Sequence, residues 1–102
     1  TTSVQELFNA VKRSPRGLTV LDVRTEKEWN AGHIEGAIHI HGGKLQERFS
    51  DVPRDKPVAV VCGSGYRASI AASFLKREGY EDVTNVVGGM AAWKAAGLPV
   101  TT

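Results

Sequence analysis

The stretch Val58-Ala59-Val60-Val61-Cys62-Gly63-Ser64-Gly65-Tyr66-Arg67, running on through Ala68, Ala71, Ala72 and Leu75 to Arg77, decides the fold. Residues 58 to 61 form an apolar run too short for a helix and suited to a strand buried on both faces. After a turn containing Gly63 and Gly65, apolar residues return at helical spacing from 67 to 78. Lys76 and Arg77 sit near the C-terminal end and Gly79 caps it. A buried strand that feeds a loop and then a helix is the repeating unit of a parallel α/β sheet.

The same alternation continues on either side. Downstream, 83 to 87 reads as a strand, Gly88-Gly89 as a turn and 90 to 96 as a short helix closed by Gly97-Leu98-Pro99. Upstream, Ser3 to Glu6 is a capping box opening an amphipathic helix over 3 to 13, and 18 to 23 is a strand ending in the charged Asp22 and Arg24. Thr25 to Glu28 is a second capping box on a short helix stopped by Gly32. A strand follows at 37 to 40, one or two helical turns at 42 to 49, and a surface loop at 50 to 57. The expected architecture is α/β, a mostly parallel sheet of four to five strands with helices on both faces, in a single domain over 1 to 102.

Composition bounds the function. At 102 residues the chain can close one core. Thirteen Lys plus Arg against eleven Asp plus Glu, interspersed, give a charge of +2 and no basic stripe for nucleic acid. No run approaches the roughly 18 apolar residues that span a bilayer, so a membrane is not an expected partner and a cytoplasmic location with a reduced thiol is the simplest expectation. The single cysteine, Cys62, excludes an internal disulfide and CxxC-type metal sites. A monomer is expected.

Most lone cysteines are small buried hydrophobes. The position of Cys62 argues otherwise: between a buried strand and a helix N-terminus, its sulfur faces backbone N–H groups that have no intrahelical partner, with Arg67 close by. Such surroundings favour the thiolate, which is the nucleophile. Gly63 and Gly65 are expected to adopt positive φ and to let consecutive amides turn inward as an anion-binding nest. In open α/β sheets ligands bind beyond the carboxyl ends of strands, where both Asp22 and Cys62 fall.

Three motifs, in order, resemble the rhodanese family of sulfurtransferases: Leu21 to Trp29 with Gly32 to Ile38; the six-residue loop Cys62 to Arg67; and Gly88 to Trp93 with Gly97 to Pro99. The resemblance covers nearly the whole chain and is to the single-domain type. It implies a central parallel sheet flanked by helices, and a persulfide relay. Cys62 would take the outer sulfur of a small anionic donor such as thiosulfate, a persulfide or a mercaptopyruvate-like compound, then pass it to cyanide, a thiol or a protein thiol. Gly63, Ser64, Gly65, Tyr66 and Arg67 would hold donor and persulfide, and no cofactor beyond the transient persulfide is implied. Phosphatases related to this fold place five residues between cysteine and arginine, whereas four stand between Cys62 and Arg67, so a cysteine-dependent phosphatase is the weaker enzymatic reading. The competing class is a non-enzymatic sulfur carrier or regulatory module of a larger protein. The loop and last motif also resemble rhodanese domains attached to metallo-β-lactamase-like persulfide dioxygenases; in such a setting glutathione persulfide or glutathione would be donor or acceptor.

Other polar residues are expected to support the site. Asp22 is expected to accept backbone N–H bonds or pair with a nearby arginine, Arg24 to pair with Glu28 along the short helix, and His33 to hydrogen-bond its own loop. His39 and His41 would share one strand face, but nothing adjacent completes a metal site, so no metal is expected. Ser64 lacks the partners of a hydrolase nucleophile. Trp29 and Trp93 are expected to pack on the sheet. Tyr66 either stands at the pocket mouth facing an acceptor or folds back as packing.

Overall fold

A computed structural model describes residues 1–64 and 66–102. Ser3 opens the first helix, α1 (Val4–Arg13), through the reciprocal capping bonds Glu6 N–H to Ser3 Oγ at 3.1 Å and Ser3 N–H to Glu6 Oε1 at 3.2 Å. Then follow β1 (Thr19–Asp22), α2 (Glu26–Asn30), β2 (Ile38–His39), α3 (Leu45–Arg48), β3 (Val58–Val61), α4 (Tyr66–Arg77), β4 (Val83–Asn85) and α5 (Gly89–Ala95). The four strands are all parallel in the order β2-β1-β3-β4, so β1 and β3 occupy the centre. Both are buried at every position, which accounts for the unbroken apolar sequence of β3; in β1 the polar Thr19 and Asp22 are buried at the two ends.

The pleat divides the interior into two cores. Leu21, Val58, Val60 and Cys62 face Leu45 of α3 and Ala68, Ala71, Ala72 and Leu75 of α4. Val20, Ala59 and Val61 face Leu7 of α1 and Met90 and Trp93 of α5. Because side chains alternate along β3, Cys62 belongs to the α4 side. The pairing Asp22↔Val61 sets the carboxyl ends of β1 and β3 level, and the backbone immediately beyond them carries the site.

Three segments differ from the sequence expectation. β4 stops at Asn85; Val86 still donates to the Val60 carbonyl and also forms a bridge to Thr2, whose backbone bonds Asn85 and Val87. Residues 42–44 and 49–51 are 3₁₀ turns on either side of α3. The surface loop at 50 to 57 is pinned by Val52, which is buried and whose carbonyl accepts the Tyr80 hydroxyl at 2.6 Å. One apolar side chain among polar neighbours suffices to anchor it.

Candidate active site

Cys62 follows directly on β3 and is fully buried. Its Sγ accepts a hydrogen bond from the Ala68 N–H at 3.2 Å, an amide in the first turn of α4. First-turn amides lack carbonyl partners within their own helix and carry the positive end of its dipole, so this contact favours negative charge on sulfur. The peptide groups on the other side are fixed by α5. The Cys62 carbonyl accepts from Met90 N–H at 2.7 Å and the Gly63 carbonyl from Ala91 N–H at 2.9 Å. That approach requires Gly89, which has φ +53°: a Cβ there would collide with the Cys62 carbonyl and would also sit in left-handed backbone. Carbonyl oxygens beside the sulfur are thereby taken up by α5.

Gly63 departs from the expectation of positive φ; its backbone is not left-handed. The absent side chain serves space instead, since a Cβ would lie 2.8 Å from Arg67 Nη2. Ser64 is exposed, and Gly65 lies outside the described residues. Tyr66 is 74% exposed at the start of α4, so its ring is not folded back as packing.

Arg67, although partly exposed, reaches across to α2. Its Nη1 and Nη2 donate to Glu28 Oε1 and Oε2 at 2.8 and 3.0 Å, a two-point pair joining α2 to the cysteine loop. Glu28 Oε1 also accepts from the backbone N–H and hydroxyl of Thr25, both at 3.0 Å. The Arg67 guanidinium, reinforced by these Thr25 donors, holds the Glu28 carboxyl at about 2, against a partial burial that acts the other way. Arg24 therefore does not pair with Glu28. It folds back on Asp22, donating from N–H and Nε to Oδ1 at 3.0 Å and from Nη2 to Oδ2 at 2.8 Å, and Nη2 also reaches the Gly32 carbonyl at 2.8 Å. Asp22 and Arg24 are both buried, and their pair ties the end of β1 to the turn after α2. The reason is distance along the chain: a partner two residues away on extended backbone completes a closed fork, while Glu28 is already committed to Thr25 and Arg67.

His33 Nδ1 lies 2.9 Å from the Trp29 carbonyl, and its ring stacks on Trp29 with centroids 3.5 Å apart. His39, 2.8 Å from the Arg24 carbonyl through Nε2, stacks on Trp29 at 4.8 Å. Trp29 thus packs on the edge strand of the sheet through His39 and on the turn after α2 through His33. His41 has left the strand for the turn before α3, so the two histidines do not share a strand face. Trp93 is buried, edge-on to Phe8, and donates to the Pro99 carbonyl at 2.8 Å. Sequence reasoning missed Gly89 and Glu28 as the two supports of the loop. The Gly88-Gly89 pair and the second capping box were visible signals, but neither shows which distant backbone it meets.

Taken together, a buried sulfur with an aimed amide, in a loop held by α5 on one side and by a carboxylate-arginine pair on the other, can form and shield a covalent anionic adduct. A family model described as rhodanese-like domain matches residues 3–96. Among curated proteins, the chain is 35% identical over 88 residues to the putative sulfur carrier protein YrkF of Bacillus subtilis, covering 86% of this chain and 48% of that one. It thus spans about half the length of that relative. It is 33% identical over 90 residues to the thiosulfate sulfurtransferase GlpE of Coxiella burnetii, covering 88% of this chain and 82% of that one. A solved structure of a rhodanese-related protein from Thermoplasma volcanium superposes with a TM-score of 0.90 at 34% identity, over 99% of this chain and 96% of that one.

Proposed function

The chain belongs to the rhodanese-like domain family, and from that premise we propose that it is a sulfurtransferase in which Cys62 accepts sulfane sulfur from thiosulfate or a persulfide and delivers it to cyanide or a thiol. In the first half-reaction the Cys62 thiolate attacks the outer sulfur of thiosulfate. A Cys–S–S bond forms, the donor's S–S bond breaks, and sulfite leaves with the electron pair. In the second half-reaction a cyanide ion or thiolate attacks the outer persulfide sulfur and the Cys62 thiolate is released. Neither step requires an external oxidant or a cofactor, and splitting the transfer in two is covalent catalysis.

The observation that carries this reading is the Ala68 N–H aimed at Sγ within a loop whose neighbouring carbonyls are occupied by α5. Such an arrangement stabilises both the attacking thiolate and the anionic persulfide without a base. Arg67, paired with Glu28, supports the loop. The names of the GlpE and YrkF relatives support sulfur transfer and sulfur carriage. Among the described residues no helix is long and apolar enough to cross a membrane, and a cytoplasmic setting would keep the thiol reduced.

Incubation with thiosulfate, removal of excess reagent and intact mass measurement test the proposal. A gain of one sulfur atom is expected in the native protein and none in Cys62→Ser. An unchanged mass after thiosulfate, mercaptopyruvate and glutathione persulfide in turn overturns it. The YrkF relative favours a second outcome, a carrier that loads sulfur but turns over no small acceptor.

A further inference from the structure

The side of the sheet opposite Cys62 carries a groove of about 480 Å³, bounded by α1, by the turn from Ile34 to Gly36 and by the segment Pro99 to Thr101. The pleat fixes this placement, since Val20, Ile34 and Trp93 belong to the core on the α1 side and Cys62 to the core on the α4 side. Trp93, edge-on to Phe8 at 6.0 Å, forms the floor. Phe8, Val11 and Leu18 along its walls are only half-buried, and Val100 stands 44% exposed on the rim. Apolar side chains left half-covered around one concavity mark a surface that another molecule completes.

Two charged side chains line the groove, Lys12 from α1 and Glu35 from the turn before β2. Both are exposed, and among the described residues neither forms an ion pair, with the other or with a neighbour. The Lys12 ammonium stands 5.7 Å from the centroid of the Phe8 ring, a contact that keeps it beside the apolar wall. A groove that holds one cation and one carboxylate apart, next to an outstanding valine, is complementary to itself. A two-fold axis through it sets each Lys12 against the Glu35 of a second copy, and each Val100 against the opposite groove. A ligand with a single charge answers only one of the two groups, and an uncharged one answers neither.

We propose that this face is the interface of a two-fold homodimer, with a second copy of this chain as its occupant. The dimer departs from the monomer expected from the sequence. Its centre is apolar, Val100 and Phe8 of each copy against the other, and two Lys12–Glu35 pairs related by the axis fix the register at the rim. An interface centred on a single groove lies at the small end of the range, where association is weak and reversible, so a dissociation constant on the order of 10–100 µM is expected. Cys62 lies across the sheet from the interface, so both sulfur sites stay open in the dimer.

Sedimentation equilibrium at protein concentrations from about 5 µM to about 1 mM tests the proposal on the native chain, Lys12→Glu, Glu35→Lys, the double reversal Lys12→Glu with Glu35→Lys, and Val100→Asp. All three side chains are exposed, so every variant should keep the native circular dichroism spectrum. Each single reversal sets like charges face to face at both pairs and should weaken the dimer about tenfold, whereas the double reversal restores opposite signs and should return it to within about threefold of native. Val100→Asp puts a carboxylate into the apolar centre and should sediment as a monomer throughout. A native chain that is monomeric at about 1 mM, a double reversal as weak as the single ones, or a Val100→Asp chain that associates like the native one overturns the proposal. So does a native chain that stays monomeric while binding anilinonaphthalene sulfonate saturably, with binding lost in Val100→Asp, a result that assigns the groove to a small amphiphile.

Discussion

Replacing Gly89 by alanine should damage both stability and sulfur loading, although the change adds one methyl group remote in sequence from Cys62. Gly89 has φ +53°, and an L-residue in that region costs about 1–2 kcal/mol. The added Cβ also collides with the Cys62 carbonyl, so α5 must withdraw and weaken two hydrogen bonds, Met90 N–H to Cys62 and Ala91 N–H to Gly63. At about 0.5–1.5 kcal/mol each, these bring the expected loss to roughly 2–5 kcal/mol. For a domain of this size that lowers the melting temperature by roughly 10–25 °C. The remaining folded molecules should load sulfur about a hundredfold more slowly, because the loop amides are no longer aimed. Thermal melts by circular dichroism and timed mass measurements after thiosulfate addition give the two numbers. Gly36→Ala is the control: φ is +84° but nothing lies within 4 Å of a Cβ there, so only the backbone strain, about 1–2 kcal/mol, is expected, with sulfur loading intact. Gly89→Ala melting no lower than Gly36→Ala and loading at the native rate would refute the reasoning.

Glu28→Gln should cost about 1 kcal/mol at neutral pH, a modest value because both side chains of the pair with Arg67 are more than a third exposed. The Glu28 carboxyl is lowered from 4.5 to about 2, so its contribution is complete above about pH 4.5 and is lost as pH falls towards 2; chemical denaturation should show the native chain and the variant converging over that window. Asp22→Ala strands the buried Arg24 and should cost about 3–5 kcal/mol, much of it recovered when Arg24→Met is added; a single variant within 1 kcal/mol of native in urea titration would contradict the pairing.

The strands and helices were legible because burial imposes a period on sequence: Val58 to Val61 could only be a central strand, and the two capping boxes marked α1 and α2 within a residue. The placement of Cys62 at a strand end was legible for the same reason. The partners of the charged groups were not. Asp22, Arg24, Glu28 and Arg67 admit two neutral pairings, and the choice between them depends on which elements the sheet order brings together. Gly63 shows a subtler limit, since sequence cannot tell a glycine needed for φ from one needed for space, and here the Arg67 side chain decides.

The two ties that hold the loop also bear on the order in which the molecule assembles. Glu28 and Arg67 are 39 positions apart, and Met90 reaches Cys62 only once β3 and β4 lie side by side. Contacts that close such long stretches of chain form late, after the entropy of bringing the strands together has been met. In a refolding experiment, helical signal should therefore precede the capacity to take up sulfur, and a chain with native secondary structure can still be chemically inert.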